Sequence, residues 1–323
     1  MVDMKSIKTG VIGIGSMGRN HARVFSEISD LVAVSDLNEK EGNKIATQFG
    51  SKYYKDYTEM LQEVDAVTIA VPTIYHKLVA EEVSSHGVHM LIEKPLASTP
   101  KDAEAIISFA KDNDVILGVG HIERHNPVVT YSKEAIDNDE WGDIIAMSSK
   151  RVSNYPNRIS DVGVIFDLGV HDLDILCYLS SSQVSSVFAV GGKYRNEKDE
   201  DHANIMLEFN NGIKTMSEIS WLSPMKVREL TLTCSKAYVV INYATQEIEV
   251  LKSKFTNLDE GNLFNINQEI ESQKIEIAKK EPLKIELENF LFSIETKSSP
   301  LVSGEDGLRA VKLAEEATNL LKI

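Results

Sequence analysis

Two clusters of titratable residues have the types and spacing needed to move a proton at an oxygen. In Asp167-Leu168-Gly169-Val170-His171-Asp172-Leu173-Asp174, Asp167 and His171 are four apart and Asp174 is three further on, so on a helix they share a face. An imidazole between carboxylates has a stabilised protonated form, which suits acid–base work near neutral pH. The second cluster is Glu93-Lys94-Pro95. Its proline restricts Lys94 to an extended backbone and is itself a candidate cis residue. A lysine ammonium there can stabilise negative charge developing on an oxygen. The structural alternatives are a surface ion pair for Lys94 and a helix-packing imidazole for His171. A metal on His171 would need further ligands, and none cluster nearby in the sequence.

Chemistry of this kind needs an electron acceptor, and the start of the chain supplies a place for one. Gly13-Ile14-Gly15-Ser16-Met17-Gly18 follows an apolar run and opens a helical pattern, with Asp36 ending a second apolar run about 20 residues on. Gly13 permits the tight turn, Gly15 lets the main chain approach a pyrophosphate, and Gly18 allows helix and strand to pack closely. The helix start then offers free N–H groups to the phosphates. Asp36 can accept from both ribose hydroxyls and would repel a 2′-phosphate, so NAD is favoured over NADP. Ligands of parallel sheets bind beyond the carboxyl ends of the strands, where Pro72, Thr73, Tyr75 and His76 follow one apolar run and Glu93 and Lys94 another. Gly13, Gly15, Ser16, Met17, Gly18, Asp36, Pro72, Thr73, His76, Glu93 and Lys94 are therefore the expected cofactor contacts.

The elements that must carry these residues are legible from periodicity. Strand-like runs at 11–14, 31–36, 66–71, 89–93 and 115–119 alternate with helix-length stretches, which predicts a parallel sheet covered on both faces. One of those helices, from Pro100, has Thr99 as its N-cap and Ala103, Ile106, Ile107 and Ala110 inward. From 144 the strands follow one another, at 144–151, 184–190, 203–209, 213–220, 227–233, 238–241 and 248–251, with Asn210-Asn211-Gly212 as a hairpin signal. The fold class is thus α/β. An N-terminal doubly wound Rossmann domain over 1–122 is followed by an α+β domain over 123–323 with a large, mostly antiparallel sheet. Helices at 283–296 and 303–320 are placed to pack back on the first domain, and 258–282 reads as a polar excursion without pattern.

Bulk properties narrow the function further. A chain of 323 residues exceeds the usual size of one hydrophobic core, and 42% hydrophobic residues supply material for two. A net charge of −15 excludes a broad nucleic-acid or anionic-membrane surface. Cys177 and Cys234 are the only cysteines, in apolar surroundings, as expected of a reduced cytoplasmic protein. No signal peptide or apolar span of membrane length is visible.

The glycine fingerprint, Glu93-Lys94-Pro95 and Asp167-x-Gly169-x-His171, in this order, resemble the glucose-fructose oxidoreductase/inositol dehydrogenase/rhizopine catabolism (Gfo/Idh/MocA) family over essentially the whole chain. Within it, Gly120-His121-Ile122-Glu123-Arg124-His125-Asn126-Pro127 and Asp161-Val162-Gly163-Val164-Ile165 are similar to the subgroup of UDP-N-acetylglucosamine 3-dehydrogenases, which more often have Phe where this chain has His125. The resemblance implies NAD-linked oxidation of a secondary alcohol on a sugar. Lys94 and His171 then touch the reacting hydroxyl and Asp167 helps hold the substrate. His171 is the preferred base, oriented by Asp167 or Asp174, although the two roles can be exchanged with Lys94.

Substrate choice is expected from basic residues near that helix. Arg151 ends a strand, Arg158 lies in the next loop, and Arg124 follows another strand; guanidinium groups hold phosphates in bidentate fashion, which favours a nucleotide sugar. Salt bridges to the 49 acidic residues are the alternative for each arginine. Competing functions are a free-sugar or inositol dehydrogenase, an NAD-using glycosidase of the same family and a non-catalytic NAD sensor. Self-association as a homodimer or homotetramer is expected of families of this type.

Overall fold

The computed structural model describes residues 4–156, 162–195, 197–258 and 266–321. Contacts group the chain into two compact units, Met1–His125 with Glu281–Glu315, and Asn126–Lys280 with Glu316–Ile323.

The first unit is built on six parallel strands. They are β1 (Lys8–Ile12), β2 (Asp30–Ser35), β3 (Lys52–Tyr54), β4 (Ala66–Ile69), β5 (His89–Glu93) and β6 (Leu117–Gly120), in the order β3-β2-β1-β4-β5-β6. The order reverses beside β1, the doubly wound arrangement that leaves a binding position at the strand ends. All four residues of β4 are buried, as a strand covered on both faces requires. The connecting helices are α1 (Ser16–Ile28), α2 (Glu39–Phe49), α3 (His76–Ser85) and α4 (Pro100–Asp112). Helix α4 starts as its sequence dictates: Thr99 Oγ1 accepts from the Asp102 amide (3.1 Å), Pro100 fills the first turn, and Ala103, Ile106 and Ala110 are buried.

The second unit is an eight-stranded mixed sheet. Its strands are β7 (Ile144–Val152), β8 (Val184–Gly192), β9 (His202–Phe209), β10 (Lys214–Ser220), β11 (Val227–Cys234), β12 (Tyr238–Asn242), β13 (Glu247–Leu258) and β14 (Ile266–Ile275), in the order β14-β13-β12-β11-β7-β10-β9-β8. Every pairing is antiparallel except β7 with β10. Gly212, at φ +88°, makes the β9–β10 hairpin turn. Helices α5 (Pro127–Asp137) and α6 (Val170–Ser180) belong to this unit. Helix α6 packs where Ser149, Arg151, Ser217 and Ile219 point inward, and a Cβ on Gly169 would lie 2.9 Å from Ile219 Cδ1. On the opposite face Phe188, Val190, Met206 and Met216 are exposed, flanked by the cross-strand ion pairs Lys150–Glu218 and Lys214–Glu208.

The last helices are α7 (Pro282–Thr296) and α8 (Gly304–Leu320). Leu283, Leu287, Phe290 and Leu291 of α7 join the core formed by Val11, Phe25, Ile28, Val34 and Leu91. Each such side chain stabilises by about 1.5–3 kcal/mol on full burial. Two elements correct the sequence reading. The stretch 258–282 contains an edge strand, β14, whose residues 270–274 are exposed, so no apolar alternation marks it. The helix bearing His171 is preceded by a π-helical turn over Ile165–Gly169, and α6 is buried nearly all round instead of along one stripe. No helix among the described residues is long and apolar enough to cross a membrane.

Candidate active site

The glycine-rich turn has the shape that a dinucleotide requires. Gly13 has φ +91°, and a Cβ there would lie 2.8–2.9 Å from the Ala70–Val71 main chain. A Cβ on Gly18 would stand 1.8 Å from the Gly13 carbonyl oxygen, so helix and strand can approach only through glycine. A Cβ on Gly15 would meet nothing within 4 Å, and Gly15 and Ser16 are exposed at the head of α1, which has no side-chain cap. That open, uncapped helix start presents free N–H groups of the kind that can hold a pyrophosphate. Met17 is half-buried one residue further on. Asp36 is fixed at the end of β2, where Oδ2 accepts from the Ile14 amide (2.7 Å) and Oδ1 from the Asn38 amide (2.7 Å). A carboxylate held beside the fingerprint turn suits the paired hydroxyls of an unphosphorylated ribose.

Beyond the ends of β4 and β5, Pro72 is exposed, Thr73 is buried and Lys94 is half-buried, with the Lys94–Pro95 peptide cis. Two of the expected cofactor contacts, His76 and Glu93, also have partners within the protein. His76 is 1% exposed, with Nε2 3.0 Å from the Val71 carbonyl and Nδ1 3.1 and 3.2 Å from the Pro95 and Leu96 carbonyls. It ties the two strand-end loops together. Burial pulls its pKa below the ordinary range despite these bonds. Glu93 also turns inward: His21 Nε2 donates to Oε1 (2.8 Å), and the Lys94 amide donates to Oε2 (3.1 Å). Burial pushes the Glu93 carboxyl up, but the hydrogen bond from His21 and the fields of His21 and Lys94 outweigh it, leaving it below the usual carboxylate range. Glu93 thus fixes the main chain of Lys94.

In the second unit Asp167 lies half-buried in the π-helical turn, while His171 and Asp174 are buried in α6. A π turn has more residues per turn than an α-helix, so the four-residue spacing of Asp167 and His171 does not stack them as on a regular helix. Arg151 does not stand open to phosphate. It is 1% exposed, its Nε donates to Asp172 Oδ2 (2.9 Å), and its guanidinium carbon lies 5.3 Å from the Tyr243 ring centroid. Its charge is held by an internal carboxylate and an aromatic face. Arg124 also has internal partners: Nη2 pairs with Asp306 Oδ1 (3.0 Å) and Nη1 donates to the Leu301 carbonyl (3.3 Å). Burial would raise the Asp306 carboxyl, but Arg124 and the Ser303 amide bring it down to about 2. Arg158 lies outside the described residues.

Sequence reasoning passed over His21, Asp172, Glu200 and Glu286. For His21 a signal existed: it falls on the buried stripe Gly18, His21, Ala22 and Phe25 of α1, where an imidazole needs a partner.

The model described as "Oxidoreductase family, NAD-binding Rossmann fold" matches residues 7–121, and that of the GFO/IDH/MocA C-terminal domain matches 129–240. The chain is 29% identical, over 96% of each protein, to the UDP-N-acetylglucosamine 3-dehydrogenase of Acidithiobacillus ferrooxidans. A solved structure of that enzyme superposes with a TM-score of 0.89 at 28% identity, covering 99% of this chain and 98% of the other. The myo-inositol 2-dehydrogenase of Thermotoga maritima is 27% identical over 98% of this chain and 96% of its own.

Proposed function

This chain belongs to the Gfo/Idh/MocA family of oxidoreductases, and from that premise we propose that it oxidises a nucleotide sugar, UDP-N-acetylglucosamine at C3, to the corresponding ketone. At the coarser level it is an NAD-dependent dehydrogenase of the sugar and inositol class, acting on CH–OH groups. The observation that carries the finer reading is the full-length likeness to the Acidithiobacillus enzyme in sequence and in fold. Of the three arginines expected to hold a diphosphate, Arg124 and Arg151 pair with internal carboxylates, which supports Arg158 as the one that meets the phosphates.

Bound NAD+ supplies the hydride acceptor. The hydroxyl proton must leave as the carbon–hydrogen bond breaks, and His171 is the base that takes it. Asp167 helps hold the sugar, and Asp174 or Asp167 orients the imidazole. Lys94, its main chain fixed by Glu93, stabilises the negative charge that grows on the oxygen. Gly13, Gly15, Ser16, Met17 and Gly18 hold the pyrophosphate end of the dinucleotide, Asp36 its ribose, and Pro72 and Thr73 line the way to Lys94.

The enzyme is read as cytoplasmic on its two buried cysteines, which form no disulfide. It is read as a homodimer or homotetramer on the apolar stripe of Phe188, Val190, Met206 and Met216. The test is incubation of purified protein with NAD+ and a panel of UDP-sugars, free sugars and inositols, following NADH absorbance and product mass. Loss of two hydrogens from UDP-N-acetylglucosamine is expected; turnover confined to inositols would refute the nucleotide-sugar reading and leave the reaction class standing.

A further inference from the structure

The helical run that carries Asp167 and His171 is started by a residue with no part in the chemistry above. Glu200, just before β9, is 3% exposed. Its main-chain carbonyl accepts from the Val164 amide (3.0 Å), and its Oε1 accepts from the Ile165 amide (3.0 Å). These amides stand at the head of the run, where the first N–H groups of a helix have no intrahelical partner. One residue, remote in sequence, therefore satisfies two of them.

Its neighbourhood shows that the contact is built. A Cβ on Gly163 would lie 2.2–2.3 Å from the Glu200 carboxylate, so glycine at this position makes room for the side chain against the main chain. This accounts for the glycine of Val162-Gly163-Val164, which the chemistry leaves unexplained. The next residue, Asp201, is fully buried; its Oδ2 accepts from the Tyr194 (2.8 Å) and Arg195 (2.6 Å) amides, and its carbonyl accepts from the Trp221 amide (2.9 Å). Glu200 is thus presented by a rigid corner. Burial raises its carboxyl above the usual range, and the Ile165 amide offsets only part of that. The turn that follows, Ile165–Gly169, is π-helical and lacks the regular α-helical ladder that would otherwise set its start.

We propose that Glu200 is a positioning residue for the active site: by capping Val164 and Ile165 through the space left by Gly163, it fixes the rise and rotation of the run that aims Asp167 and His171. The inference rests on the reading of Asp167 and His171 as substrate-facing groups.

The test uses the full chain with Glu200→Ala, Glu200→Gln, Gly163→Ala and the double variant Gly163→Ala/Glu200→Ala, beside His171→Ala as control. Amide hydrogen exchange at Val164 and Ile165 is expected to lose protection in Glu200→Ala and Gly163→Ala and to keep it in Glu200→Gln, whose amide oxygen still accepts. With NAD+ and UDP-N-acetylglucosamine, kcat should fall by up to about 100-fold in the first two, as misplacement by about 1 Å can cause. Glu200→Gln should restore it, and the Kd for NAD+ should not move. The double variant should be no worse than Glu200→Ala, because the clash is gone. Unchanged protection in Glu200→Ala overturns the proposal, as does a lowered Tm with kcat per folded molecule intact. Should His171→Ala turn over as fast as the unaltered enzyme, the active-site reading fails, and the exchange pattern still decides what Glu200 holds.

Discussion

Glu286 offers a sharp test of the electrostatics behind Lys94. It sits on the buried face of α7, 2% exposed, with neither carboxylate oxygen hydrogen-bonded and with the Glu93 carboxylate as a like-charged neighbour. Burial first, and Glu93 second, raise its pKa well above the ordinary value, so the folded protein holds a proton that the unfolded chain gives up. An acid of this kind leaves stability untouched below the unfolded-chain value, about 4.3 for glutamate, and removes it as pH rises. The loss accumulates at about 1.4 kcal/mol per pH unit until Glu286 itself ionises. Glu286→Gln keeps the shape and cannot titrate. Measured by urea unfolding from pH 5 to 8, its stability relative to the unaltered protein should climb with that slope and level off only where Glu286 becomes charged. The buried amide adds an offset that does not depend on pH, so the slope carries the test. A gap constant with pH would show that Glu286 is ionised, or satisfied, in the folded state, and would refute the reasoning.

Other consequences follow from the same contacts. Asp172→Ala removes a carboxylate paired with the buried Arg151 charge and should destabilise by about 3–5 kcal/mol in denaturant unfolding; an effect below 1 kcal/mol would mean that the charge does not depend on this pair. Asp306, brought down to about 2 by Arg124 and the Ser303 amide, contributes stability that is full above the unfolded aspartate value of about 3.9 and is lost as pH falls through about 2. The acid-unfolding curves of Arg124→Gln and the unaltered protein should therefore converge at low pH and separate above it. Asp36→Ala should erode the preference for NAD over NADP in binding titrations, and undiminished discrimination would place ribose recognition elsewhere.

The parts of this molecule written in short-range patterns were legible from the sequence alone. Gly13 and Gly18 announce a turn whose shape admits little else, and Thr99-Pro100 starts α4 as capping chemistry demands. The alternation of strand and helix up to β6, and the run of strands from β7, follow from periodicity. What escaped depends on partners distant in the chain. Arg151 looks like a free phosphate ligand until folding brings Asp172 and Tyr243 against it, and Arg124 until Asp306 does. His76 looks like a site residue because it follows a strand end, yet three carbonyls surround its ring. Strand β14 has an exposed, polar middle at the sheet edge, so period-two alternation had nothing to record there. The π turn before α6 is a local departure from the helical period on which the Asp167–His171 spacing was read.

The central claim is that Lys94 and His171 carry out the oxidation while the glycine-rich turn and Asp36 hold the cofactor. Steady-state NADH formation by Lys94→Ala and His171→Ala, measured beside their Kd for NAD+, tests it most directly. Loss of kcat by about 100-fold or more in each, with cofactor affinity preserved in His171→Ala, is the predicted result. Turnover at the unaltered rate in either variant would contradict the claim.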